Sequence, residues 1–303
     1  MDQPRYRAVG PWLKARFGGR VAKIALDAGL SCPNRDGTLS REGCLFCDGR
    51  GSGSGAAEAG LPIGQQISQA MPRLARRYKA ERFIAYFQAF SNTYAPADRL
   101  ARLYAEALAF REVVILALGT RPDCLPGEVL DMLAGINRER EVWLELGLQS
   151  ASDETLRAIN RGHDFSAFEE AVRAAVGRGL KVWAHLILGL PGEGFEEAAE
   201  TIRRIAGLGL AGVKLHGLYV SADAPLAELY RAGRVRLLSL AEYADLAGRL
   251  IGLMPAEWVL QRLTSDPDPK RLLAPAWMLD KPGVLRAIER RMEELDIRQG
   301  GTG

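Results

Sequence analysis

At 303 residues and a formal net charge of +3, the chain is long enough for one large α/β domain with an appendage or for two modest domains. That charge is too small to announce a nucleic-acid partner by itself. Apolar runs too short for a bilayer, and an opening without the charged-then-apolar order of a secretion signal, lead us to expect a cytoplasmic protein with no membrane contact. Four cysteines in so long a chain are too few for a disulfide scaffold.

The opening segment, 1–20, sets Arg5, Arg7, Lys14, Arg16 and Arg20 against Asp2 alone. Such a basic stretch can grip phosphates or stay solvated, so it permits an RNA partner without demanding one. From residue 21 a rhythm sets in: short β-branched or apolar runs, each followed by a stretch of helical periodicity. Strands are expected near 21–27, 82–88, 113–118, 141–147, 182–188 and 212–219. Amphipathic helices are expected over 97–110, 126–137, 165–179 and 195–208, where Leu, Ala, Ile and Val recur at three- and four-residue spacings. The pattern predicts an α/β fold: a partial (β/α)6 TIM-like barrel of parallel strands over 21–222, followed by a C-terminal extension, 223–303, packing on the barrel. The glycine-serine segment 49–60 reads either as a surface linker or as a loop whose bare backbone passes close to a ligand.

Cys32, Cys44 and Cys47 form C-x11-C-x2-C directly after the first expected strand. Loops at strand C-termini build the active sites of parallel barrels, so this trio sits where chemistry is expected. A cubane cluster normally takes one thiolate per iron, and three thiolates leave one iron open to a ligand. Zinc competes on spacing alone, because C-x2-C is also a zinc knuckle and Cys124 or a histidine could complete a tetrahedron. Against zinc, His163, His185 and His216 are scattered over later elements, and Phe46 inside the pair suits a shielded cluster.

Polar groups recur after the later strands. FQAFSNTYAP offers Gln88, Ser91, Asn92 and Thr93, which could bind a ligand or simply cap the next helix. In GTRPDC, Arg121 and Asp123 are expected to brace their loop, while Cys124 is either a buried small hydrophobe or a residue facing the substrate. Glu145 and Gln149 share strand parity, so both can face the lumen. A buried carboxylate needs partners, and Arg161 is one candidate. Lys214 and His216 also share parity. RLTSDPDPKRLLAPAWMLDK adds Arg262, Lys270 and Trp277, a basic and aromatic mixture suited to nucleic acid or to a structural cap.

In order along the chain, KIALDAGLSCPNRDGT, FCDGRGSGSGAAEAG, FIAYFQAFSNTYAP, GTRPDCL, ELGLQSASDETLRAINRGHD, HLILGLPGE, KLHGLYV and RLTSDPDPKRLLAPAWMLDK resemble the radical SAM superfamily. Within it they resemble the YhcC/YtqA-type bacterial family, which is related to the radical SAM domain of the Elongator catalytic subunit. The resemblance implies a [4Fe-4S] cluster on Cys32, Cys44 and Cys47, with S-adenosylmethionine (SAM) on the open iron and a 5′-deoxyadenosyl radical as its product. It implies that Gln88, Ser91, Asn92, Thr93, Glu145, Gln149, Arg161 and Gly189 surround SAM, with His163 and Cys124 as candidate catalytic groups. Lys214, His216, Arg262, Lys270 and Trp277 then fall to the substrate. A one-electron reductant such as flavodoxin or ferredoxin is implied as partner. So is tRNA, modified at the C5 side chain of the wobble uridine on the carboxymethylaminomethyl to aminomethyl route. Two alternatives stand beside this reading: a radical SAM enzyme acting on a small metabolite such as a porphyrin, and a zinc-stabilised RNA-binding protein without catalysis.

Overall fold

The structure, a computed structural model, describes residues 4–51 and 60–301. Most of the glycine-serine segment, 52–59, therefore lies outside the described residues. In chain order the elements are α1 (Val9–Phe17), β1 (Val21–Leu26), α2 (Ile63–Tyr78), β2 (Arg82–Phe87), α3 (Ala97–Leu108), β3 (Val113–Thr120), α4 (Gly127–Asn137), β4 (Glu141–Gln149), α5 (Asp153–Ala158), α6 (Phe165–Val176), β5 (Lys181–Leu188), α7 (Phe195–Ala206) and β6 (Gly212–Gly217). Beyond them run β7 (Val220–Ser221), α8 (Leu226–Arg231), α9 (Leu240–Leu253), β8 (Val259–Arg262), β9 (Leu272–Ala274) and α10 (Lys281–Glu294).

The six expected strands form one parallel sheet in sequence order, and β8 joins it beside β6 as a seventh parallel strand. The C-terminal extension thus contributes to the sheet itself, while β7 and β9 pair separately as a short antiparallel ribbon. The sheet is curled into a half-barrel. Its edge strands approach each other where Lys23 Nζ on β1 donates to Gln261 Oε1 near the end of β8 at 3.2 Å.

Strand alternation divides the core in two. Outward residues such as Ile24, Phe87, Leu116, Leu144 and Val182 pack under the helices against Ile67, Leu100, Phe168 and Ile202. Inward residues Ile84, Tyr86, Ile115, Ala117, Trp143, Trp183 and Val259 fill the lower lumen. Trp143 and Trp183 lie 4.8 Å apart by ring centroid, and Trp12 of α1 sits 6.0 Å from Trp143 and 6.3 Å from Trp183. With Leu13 buried beside them, α1 closes the end of the lumen where the strands begin. Gly18, with φ 70°, ends the helix in the left-handed conformation that lets the chain turn up into β1.

This placement accounts for much of the basic opening segment. Arg16 pairs with Glu141, the first residue of β4, and Glu141 also accepts from Lys181 at 2.7 Å. Arg5 pairs with Asp296 at 3.2 Å, and Arg7 donates to the Glu257 carbonyl at 2.9 Å. These side chains secure the closed end of the half-barrel, opposite the cysteine loop. Among the described residues no helix is long and apolar enough to cross a membrane.

Replacing Trp143 by Ala empties the layer on which α1 rests and is expected to cost about 3–5 kcal/mol. Urea unfolding of the variant should show the loss as a lower midpoint with little change in slope.

Candidate active site

The loop after β1 explains how an eleven-residue gap brings Cys32 beside Cys44. Gly43 N donates to the Asn34 carbonyl at 2.8 Å, so residues 35–42 make a closed excursion and the chain returns to its starting point. Arg35 clamps the return by donating to the carbonyls of Cys47 at 2.8 Å and Asp48 at 2.6 Å. The loop is tied to the chain beyond β4 as well. Leu45 N donates to the Ile159 carbonyl at 3.0 Å, and Asn160 Nδ2 donates to the Gly43 carbonyl at 2.7 Å. Cys44 Sγ receives Asn34 Nδ2 and Arg161 Nη1, each at 3.5 Å. Burial, followed by the charge of Cys44, pushes the Cys47 thiol up to about 12. A metal bound at the sulfur removes that penalty, because it stabilises the thiolate.

All three thiols open onto one cavity of about 520 Å³ in the upper lumen. Among the described residues no three Cys, His, Asp or Glu side chains converge as the ligands of a single ion. Small residues make the space: a Cβ on Gly147 would lie 2.7 Å from Arg161 Nη2, and one on Gly119 would lie 3.3 Å from the Phe87 carbonyl oxygen. Because Gly147 has no side chain, Arg161 can donate to its carbonyl at 2.5 Å.

The cavity floor is charged. Glu145, fully buried in the middle of β4, accepts Lys23 Nζ at 2.9 Å on Oε1, and Lys214 Nζ at 3.0 Å and His185 Nε2 at 2.9 Å on Oε2. The carboxylate can only accept, so His185 carries its proton on Nε2. Lys214 Nζ also lies 3.0 Å from Tyr86 OH, and both lysines face the Tyr86 ring, Lys23 at 4.1 Å and Lys214 at 4.8 Å from its centroid. Burial alone would raise the Glu145 pKa, but the charges of Lys214 and Lys23 outweigh it and hold the carboxyl well below its usual range. Burial brings Lys214 down to about 7, against the pull of Glu145. Burial followed by the charge of Lys214 brings His185 to about 4, so its ring is neutral near pH 7.

Cys32, Cys44, Cys47, Gln88, Ser91, Glu145, Gln149, Arg161, Lys214, His216 and Arg262 all line this cavity. Gln149 does so from a left-handed backbone, φ 80°, where the β4–β5 register shifts. Glu145 does not pair with Arg161, the partner considered from sequence; its oxygens are taken by Lys23, Lys214 and His185.

Seven other candidates lie off the cavity wall. Asn92 Nδ2 donates to the carbonyls of Ala89 at 3.0 Å and Gly119 at 2.9 Å, tying the loop after β2 to β3. Thr93 Oγ1 donates to the Cys124 carbonyl at 2.5 Å and meets Thr120 Oγ1 at 2.6 Å. Cys124, buried at 3% exposure, borders a separate hollow with Thr93, Tyr94 and Asp123. Burial pushes its thiol up to about 12. His163 is half-buried with Nδ1 3.0 Å from the Asp164 carbonyl, and burial, then Arg161, lowers it to about 3. Gly189 turns the chain after β5 with φ 84°, and a Cβ there would meet Leu238 at 3.0 Å. Lys270 is exposed. Trp277 Nε1 donates to the Leu238 carbonyl at 3.0 Å while its ring packs 5.2 Å from Tyr243.

Lys23, Asn34, Tyr86, His185 and Tyr219 also line the cavity, although none was a site candidate, and so does Arg121, which was expected only to brace its loop. Parity would have found Lys23 and His185, which interrupt the apolar runs VAKIAL and KVWAHLIL. Arg121 braces its loop through a two-pronged pair with Asp123 at 2.8 and 2.9 Å.

The residues present suit a cluster with an organic co-ligand. Around the upper cavity Ser91 Oγ, Arg121 Nη1, Arg161 Nε and Asn34 Oδ1 are buried without a hydrogen-bond partner among the described residues, and such groups ordinarily have one. The three thiols supply soft donors, and the glycines leave room for a ligand beside them. When bound, a cluster with SAM supplies a carbon-centred radical for hydrogen abstraction. Arg161 and Asn34 then keep the Cys44 sulfur hydrogen-bonded, which tunes a cluster's potential.

Comparison with known proteins bears on the same residues. The family model "Radical SAM superfamily" matches residues 37–205, and "Radical_SAM C-terminal domain" matches 210–294. YtqA of Bacillus subtilis is 37% identical over 298 residues, covering 98% of this chain and 92% of that protein. YhcC of Escherichia coli is 39% identical over 292 residues, covering 96% and 93%. Among solved structures, the Elp3 of the archaeon Methanocaldococcus infernus superposes with a TM-score of 0.70 at 17% identity, across 92% of this chain and 64% of that one, a likeness of fold. A half-barrel of parallel strands with three cysteines in its first loop, matched over nearly its whole length by these relatives, belongs to the radical SAM superfamily, whose enzymes work with a [4Fe-4S] cluster and SAM.

Proposed function

We propose that this radical SAM enzyme acts on tRNA, at the C5 side chain of the wobble uridine, on the route from carboxymethylaminomethyl to aminomethyl. The observation that carries the reading is the deep cavity beneath the cysteine loop, with glycine-lined space above and a cationic floor below. Base-modifying enzymes extrude their target nucleotide into a pocket, and a cavity of this depth would accept the C5 side chain of such a base. Resemblance of the ordered motifs to Elongator's radical SAM domain supports the same substrate.

The grip on RNA falls to the strand-end face. Exposed Arg41 in the cysteine loop and exposed Lys270 in the C-terminal extension flank it, and Arg50 joins the two segments through Asp268 at 2.8 Å. The basic opening segment serves the other end of the molecule. Cys32, Cys44 and Cys47 would hold the cluster, with Ser91, Arg121 and Arg161 as donors toward SAM. The electron would come from a small carrier such as flavodoxin or ferredoxin.

Cys32→Ala, Cys44→Ala and Cys47→Ala should each lower iron in anaerobically reconstituted protein from about four per chain to a small fraction of that. Cys124→Ala should keep the wild-type iron content and brown colour. Reconstituted enzyme with SAM and a reductant should form 5′-deoxyadenosine faster with undermodified tRNA than without it. Mass spectrometry of the nucleosides should show carboxymethylaminomethyl-uridine lost and aminomethyl-uridine gained, with binding that weakens steeply as salt rises. Unchanged nucleosides, with radical formation indifferent to tRNA, would sink the tRNA reading.

A further inference from the structure

The floor of the cavity holds more positive than negative charge. Lys23 on β1 and Lys214 on β6 share one carboxylate, Glu145, while the third partner, His185, is neutral. Among the described residues the ion pair of Arg262, at the end of β8, is a 3.9 Å contact with Asp266, and Asp266 also pairs with Lys281. Lys23 and Arg262 each keep 31% of the side chain exposed, and both line the cavity with Lys214 and His216. A buried ammonium, Lys214, and a half-buried one, Lys23, share a single buried carboxylate, an arrangement that a further anion would relieve. Burial brings Lys214 down to about 7, and the charges of Lys23 and Arg262 act in the same direction against the pull of Glu145.

We propose that Lys23, Lys214 and Arg262 form a subsite for a carboxylate carried by the substrate, with Glu145 as its fixed counter-ion and not as a ligand of SAM. Depth favours a carboxylate on a slender side chain over a backbone phosphate. Glu145 and Lys214 lie in mid-strand, below the loop that carries the cysteines, where a folded RNA's backbone has no access. A bound carboxylate would set the adjacent carbon at a fixed depth beneath the cluster, so the subsite selects which hydrogen is presented. Lys23, Lys214 and Arg262 bind the substrate's carboxylate directly in this scheme. The inference rests on the proposed function only for its tRNA source; a small acid would meet the same cations.

The test uses reconstituted full-length protein and three ligand sets. The first pair is an anticodon stem-loop RNA carrying carboxymethylaminomethyl-uridine and the same RNA carrying aminomethyl-uridine. The second is N-acetylglycine and its amide, and the third is inorganic phosphate alone. Wild type is expected to bind the carboxylate member of at least one pair about tenfold more tightly than its partner. Arg262→Ala and Lys214→Met should bring that ratio near one, Lys214→Arg should restore part of it, and iron content and circular dichroism should stay at wild-type values. Discrimination in the RNA pair supports subsite and tRNA together. Discrimination confined to the small acids supports the subsite and removes the tRNA. The subsite is overturned if wild type distinguishes neither pair, if the ratio survives in both variants, or if phosphate competes as well as the carboxylates do. Should Lys214→Met fail to fold, Lys23→Met and Arg262→Ala decide the matter by the same ratio.

Discussion

The upper half of this barrel depends on keeping one carboxylate charged inside it. Glu145 has no exposed surface, yet it accepts two ammonium groups and an imidazole from three different strands. Removing one partner of such a buried set costs about 3–5 kcal/mol, because the remaining charge stays buried and unmatched. These contacts therefore add directional ties between β1, β4, β5 and β6 to the apolar packing, because charge-assisted hydrogen bonds demand a fixed geometry and apolar burial is non-directional. A lumen built this way holds its width while its upper end stays open.

The lumen changes character with height, and the change follows the strand alternation. Tryptophans fill the end that α1 closes, charges occupy the middle, and Gly119 and Gly147 vacate the space beneath the cysteines. Inward positions on a single strand thus run Trp143, Glu145, Gly147. Each step of two residues moves from filler to counter-ion to empty space. Parallel strands bring their C-terminal loops to the same end, so the cavity lining comes from several loops, the long connection between β1 and α2 among them.

Legibility in sequence tracked how many residues carried each feature. Six strands were visible because an apolar run between helices leaves little choice, and parity correctly sent Glu145 and Lys214 to the same lumen. Strand β8 escaped because VLQR is four residues with two polar ones, too short for a period to show. Helix α1 read as a basic segment because its arginines are conspicuous in composition. Its work is done by Trp12 and Leu13, which become meaningful only once Trp143 and Trp183 stand opposite. Lys23 and His185 were individually visible as breaks in apolar strands, but their common partner on β4 is a contact across more than a hundred residues of Lys23's sequence and forty of His185's. Asn92 and Thr93 were read either as ligand-binding groups or as a helix cap; instead they tie the loop after β2 to carbonyls at and beyond the end of β3.

Position also assigns different tasks to different parts of the chain. The cysteine loop and the ends of β2 to β5 surround the upper cavity, and the matched superfamily segment, 37–205, contains most of them. The rest of the cavity wall comes from elsewhere, from Lys214 and His216 on β6 and from Arg262 on β8. An open parallel sheet has a lateral gap between its first and last strands, and whatever pairs with the last strand decides what chemistry meets a ligand there. Here that partner belongs to the C-terminal segment, and it reaches across the gap to Lys23 through Gln261. Relatives that keep the cysteine loop but replace β8 would therefore generate the same radical above a different floor.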